Sequence, residues 1–121
     1  MLAAIAIGGA LGAPARYGIA QLLPFTPGTF PWGTFWTNLS GAFVLGFFLA
    51  YLIERFPPTR FVRAFFGIGF LGAYTTFSTF TAETVGLVAR GEPGMAMAYV
   101  LASVAVGLGA AVGGLALGRA L

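Results

Sequence analysis

The 121-residue chain has no cysteine, histidine, lysine or aspartate; its ionic groups are six arginines and three glutamates. Each gap removes a class of chemistry. Without Cys or His there is no thiolate nucleophile, no imidazole base, no disulfide framework and no zinc site. Without Asp and His a Ser-His-Asp triad cannot be assembled. Little is left from which to build an enzyme, so the sequence reads as non-enzymatic. Charged residues make up 7% of the chain, where a soluble domain carries about a quarter. The hydrophobic share is 59% and the mean hydropathy +0.94. An integral membrane protein is expected. The net charge of +3 is too small and scattered to suggest nucleic acid; the arginines read better as topology signals.

A helix needs about 20 mainly apolar residues to cross a bilayer. Four segments qualify: about Leu2 to Leu23, Trp32 to Ile53, Arg63 to Ala89 and Met95 to Leu117. Turn formers separate them, in "PFTPGTFP" (24–31), "ERFPPTR" (54–60) and "RGEPG" (90–94). The expectation is a single four-helix transmembrane domain covering 1–121. The first span follows Met1 without a basic leader or an A-x-A cleavage site, unlike a cleaved signal peptide. Arg55, Arg60, Arg63 and Arg119 fall on the side of the N-terminus, against Arg90 and Arg16 on the other. That bias favours cytoplasmic termini. Gly8/Gly12 and Gly114/Gly118 have the spacing that lets membrane helices pack closely.

One stretch departs from this oil-like background. "GFLGAYTTFSTFTAE" (69–83) gathers six hydroxyls: Tyr74, Thr75, Thr76, Ser78, Thr79 and Thr81. Two glycines followed by a β-branched Thr pair, mid-span, suggest a break in the helix. A break would free carbonyl oxygens, which are hard ligands for a monovalent cation. The alternative is a continuous helix whose Thr hydroxyls bond back to their own turn. Phe77, Phe80 and Glu83 follow at three-residue steps. Aromatic edges carry positive partial charge, so two rings presented edge-on could hold a small anion; ordinary packing is the competing role. Asn38 and Thr34 are four apart on the second span, as are Tyr99 and Ser103 on the fourth. Both pairs suit helix packing as well as ion solvation. Arg16 either snorkels to the interface or sets a positive potential at a pore mouth, and the intramembrane Glu83 is a functional candidate.

"GAPARYG" (12–18), "GTFWTNLSGAFVLG" (33–46) and "GFLGAYTTFSTF" (69–80), in this order, resemble the Fluc (CrcB-type) fluoride channels across essentially the whole chain. The resemblance implies an all-α membrane protein in which four transmembrane helices, the third broken mid-membrane, pair in an antiparallel, dual-topology homodimer. It implies passive, fluoride-selective export across the cell (inner or plasma) membrane, relieving fluoride toxicity, through two pores flanking a structural Na+. Carried onto this chain, the sodium ligands are the backbone carbonyls of Gly72 and Thr75. The fluoride pathway comprises Asn38, Phe77, Phe80, Ser78, Thr79, Tyr99 and Ser103, with Arg16 and Glu83 as vestibule or polar positions. Two departures stand out: Gly107 replaces a hydroxyl common one turn after Ser103, and Tyr74 replaces a residue that is often aliphatic. The rival readings are a proton-coupled small multidrug transporter, a fluoride/proton exchanger using Glu83, and a non-transporting scaffold. The first needs a first-span carboxylate, which is absent.

Overall fold

A computed structural model describes residues 1–54 and 60–121. The expected turn at 54–60, with Arg55, lies outside the described residues except for its two ends. The described residues form helices and no strands. Helix α1 spans Leu2–Leu22. Helix α2 spans Trp32–Phe48 and continues as a wider π-helical stretch, Leu49–Glu54. A short α3 (Arg60–Val62) leads into a second π-helical stretch, Arg63–Phe70, and then α4 (Leu71–Tyr74). Helix α5 covers Ser78–Ala89 and α6 covers Pro93–Ala120. Three runs are long and apolar enough to cross a membrane: Leu2–Leu22, Trp32–Glu54 and Pro93–Ala120. They match the first, second and fourth expected spans. The expected third span is divided into the pieces between Arg60 and Ala89.

The α5–α6 connection shows how local sequence sets a turn. Gly91 takes φ +78°, a left-handed conformation that costs glycine little. Its N–H bonds the Val88 carbonyl at 3.1 Å, and the Glu92 N–H bonds the Leu87 carbonyl at 2.9 Å. This pairing satisfies the end of α5 in a Schellman arrangement. Pro93 then opens α6 at a position where its missing N–H costs nothing. "RGEPG" therefore encodes a stop followed directly by a start.

Two seams hold the bundle. Helix α6 packs along α2, and α1 packs along the Arg63–Tyr74 run. Both are glycine seams. A Cβ at Gly114 would strike the Phe43 carbonyl, and one at Gly46 the Ala111 carbonyl. A Cβ at Gly8 would strike the Phe65 carbonyl, and one at Gly12 the Phe70 carbonyl. Without a hydrophobic drive between helices in lipid, this backbone approach supplies much of the packing. The contacts advance in register: Gly8 then Gly12 meet Phe65 then Phe70, while Gly114 then Gly118 meet Phe43 then Phe47. Each seam therefore joins two segments running the same way, as expected for first with third and second with fourth of alternating passes. Arg119 grips Glu54 through two bonds, Nε to Oε2 at 3.0 Å and Nη2 to Oε1 at 2.8 Å, tying the ends of the second seam.

At the opposite end, Phe35, Leu87, Ala96 and Tyr99 form a buried cluster, flanked by Phe30 and Phe80. Trp32 and Trp36 stack there with ring centroids 6.5 Å apart, each about half exposed (52% and 49%).

Candidate functional site

The site centres on the gap between α4 and α5. Helix α4 ends at Tyr74, Thr75 is extended (φ −80°, ψ 157°), and α5 begins at Ser78. In a continuous helix the Thr76 N–H would bond the Gly72 carbonyl and the Thr79 N–H the Thr75 carbonyl. Both donors go elsewhere. The Thr76 N–H donates to Asn38 Oδ1 at 2.7 Å, and the Thr79 N–H donates to Thr76 Oγ1 at 3.1 Å. Asn38 completes the pairing by donating from Nδ2 to the Thr76 carbonyl at 2.9 Å. One amide side chain thus satisfies both backbone polar groups of Thr76, which is 8% exposed. The Thr76 hydroxyl caps the first turn of α5, in the role usual for Thr at a helix N-terminus.

The interruption, which the sequence linked to the glycines and β-branching, also has side chains that take up the diverted backbone donors. Gly41 makes the approach possible, because a Cβ there would collide with Thr75 Cγ2. The alternative role for the hydroxyls also holds in part. Thr75 Oγ1 bonds the Leu71 carbonyl, Thr81 Oγ1 the Ser78 carbonyl and Thr84 Oγ1 the Phe80 carbonyl, at 3.0, 2.9 and 2.8 Å. These hydroxyls return to their own turns, whereas Thr76 does not.

Three recesses converge on the gap. One, ≈ 400 Å³, includes Asn38, Gly41, Gly72, Thr75, Thr76 and Phe77 in its lining. A second, ≈ 490 Å³, includes Ser78, Thr79, Glu83 and Arg90. The third, ≈ 300 Å³, includes Arg16, Thr34, Thr37, Thr76 and Thr79 in its lining. Thr79 borders both of the latter two. Asn38, Gly72, Thr75, Phe77, Ser78, Thr79, Arg16 and Glu83 are thus all gathered around the interruption.

The remaining sequence candidates lie in the interior. Tyr99 is fully enclosed, and its hydroxyl donates to Glu83 Oε1 at 3.0 Å. Phe80 packs edge-on against Tyr99, with ring centroids 4.9 Å apart at 62°. Phe77 lies 5.9 Å from Phe80 but is 77% exposed, so the two rings occupy different surroundings. Ser103 Oγ is buried without a hydrogen-bond partner among the described residues and joins none of the three recesses. Sequence reasoning named Asn38 and Thr76 but missed their pairing. It also passed over Thr37, which is buried beside Arg16 and sits one residue before the amide in "WTNLSG".

This architecture has relatives. A family model described as "CrcB-like protein, Camphor Resistance (CrcB)" matches residues 3–115. The chain belongs to the CrcB family. It is 48% identical over 119 residues to a Streptomyces avermitilis protein named fluoride-specific ion channel FluC 3, covering 98% of this chain and 58% of that protein. It is 45% identical to FluC 2 of the same organism, covering 85% of this chain and 65% of the relative. With FluC 1 of Mycolicibacterium paratuberculosis it shares 43% identity, covering 88% and 81%. The chain therefore spans less than two thirds of the length of the two Streptomyces proteins. Family membership and three apolar helices identify a multi-pass membrane protein.

Proposed function

We propose that the chain forms a passive, fluoride-selective channel that exports the ion down its electrochemical gradient and so relieves its toxicity. Two copies in antiparallel orientation would surround a sodium ion, and the pieces from Arg60 to Ala89 would act as one broken span. The observation that carries this reading is the diversion of the Thr76 and Thr79 N–H groups, which leaves Gly72 and Thr75 without their helical donors. Unengaged backbone at membrane depth is tolerated only where protein or a polar cavity receives it. Neutral carbonyl oxygens suit a small monovalent cation, so Gly72 and Thr75 fit the role of sodium ligands. Bound there, sodium would supply a fixed positive charge and a tie between subunits.

The other residues divide the handling of the anion. Fluoride must be given hydrogen-bond donors as it loses water. An amide nitrogen carries two protons. The Thr76 carbonyl takes one proton of Asn38, leaving the other to face the anion. Arg16 raises the local potential beside Thr34 and Thr37, and Thr79 and Ser78 extend the hydroxyl lining. Phe77 offers a ring rim to the outside, and Phe80 is held by Tyr99. Such sites solvate an ion without a full positive charge directly on its path to trap it.

Purified protein in liposomes, loaded with fluoride or chloride and followed by ion-selective electrodes, tests this. Rapid fluoride release with negligible chloride release is expected. Equal rates would overturn it. Clamping the proton gradient should leave fluoride release unchanged, whereas coupled exchange through Glu83 would stop. Phe80→Ala should abolish release while the protein stays folded; a scaffold would lose only stability.

A further inference from the structure

Tyr74 is the last residue of α4, immediately before the interruption. Its ring stacks on Phe70, one turn earlier, with centroids 6.0 Å apart at 12°. Its hydroxyl reaches across to α2 and lies 2.9 Å from Ser40 Oγ. Ser40 has one hydroxyl proton, which it donates to the Thr37 carbonyl at 3.1 Å. The Tyr74 O–H is therefore the donor to Ser40, in a relay that ends on the α2 backbone. Two residues further along the chain, Asn38 holds the Thr76 peptide. Gly41 admits Thr75 between these two attachments.

From this geometry we infer that the Tyr74–Ser40 hydrogen bond is a second latch, positioning the Thr75 carbonyl for cation binding. Asn38 fixes the chain after Thr75, and Tyr74 fixes it before. An aliphatic side chain at 74 could fill the same space but could not make the bond. A carbonyl cage is sensitive to small displacements of its oxygens, so the hydroxyl should act on cation affinity more than on assembly. The inference rests on the proposed sodium site and gives Tyr74 and Ser40 a positioning role in it.

The test uses full-length protein and sodium alone as the probe. The sodium concentration giving half of the thermal stabilisation is measured for wild type, Tyr74→Phe, Ser40→Ala and the double variant. Tyr74→Phe keeps the stacked ring. Loss of one hydrogen bond should raise that concentration roughly three- to tenfold, with the melting temperature in saturating sodium near wild type. The double variant should be no worse than either single, because both remove the same bond. A sodium response in wild type that is unchanged in Tyr74→Phe overturns the latch and leaves the sodium reading intact. Lower stability without a shift in sodium dependence, or additive effects in the double variant, overturns it too. A wild type with no sodium response ends both readings.

Discussion

Helix α6 and the run from Arg60 to Ala89 invite comparison because they use glycine so differently. Helix α6 holds six glycines, Gly94, Gly107, Gly109, Gly113, Gly114 and Gly118, and remains one helix of 28 residues. The Arg60–Ala89 run has four, Gly67, Gly69, Gly72 and Gly86, and is interrupted. Glycine lowers helix propensity in water by about 1 kcal/mol. In lipid, giving up a backbone hydrogen bond costs more than that, so propensity alone does not open a helix. What opens one is a better offer to its donors. Among the described residues, no side-chain hydrogen bond of that kind is made to the α6 backbone. At Thr76 the Asn38 amide and the Thr76 hydroxyl both make one.

Substitutions can break or sharpen this contrast. The largest expected effect is from Asn38→Leu, which strips the Thr76 N–H and carbonyl of their partner. Two unsatisfied buried groups cost on the order of 2–6 kcal/mol, unless the helix closes and the carbonyls of Gly72 and Thr75 regain their donors. Either way fluoride release should disappear. Retained release with wild-type thermal stability would mean that the amide does not hold the gap open. Next is Gly114→Ala, whose Cβ would meet the Phe43 carbonyl on the rigid side of the contrast. Overpacking of about 1–3 kcal/mol is expected, read as a lower melting temperature with fluoride selectivity unaltered in whatever folds.

Thr76→Val keeps the shape of the side chain and removes the cap of α5. A loss of about 1 kcal/mol, with faster amide exchange at Thr79, is expected; unchanged exchange would show the cap to be idle. The smallest effect belongs to Gly107→Ala. Among the described residues nothing lies within 4 Å of a Cβ there, so α6 should gain up to about 1 kcal/mol. Destabilisation would reveal a close neighbour of Gly107 in the assembled protein.

The parts legible from sequence were those encoded by neighbours in the chain. The glycine pairs at 8/12 and 114/118 marked the two seams because close helix approach repeats every four residues. "RGEPG" spelled a helix stop and start in consecutive residues. The gap between α4 and α5 falls at the glycines and β-branched Thr pair that suggested a break, but the partner that receives the Thr76 peptide was not legible. Thr76 is held by an amide 38 positions earlier, and no local pattern encodes that distance. The surroundings of Tyr99 were hidden for the same reason. Its spacing with Ser103 placed the two on one helix face, while the aromatic cluster that encloses its ring and the Glu83 carboxylate that takes its hydroxyl come from other helices.

The tryptophans give this molecule a built-in optical asymmetry. Both indoles belong to the first turns of α2, stacked and half open to the surroundings, while the Glu54–Arg119 end has none. Intrinsic emission therefore samples a single rim of the bundle. Quenchers attached at graded depths along lipid chains should dim that emission most at one level, giving each copy a ruler for how deeply its α2 entrance is seated.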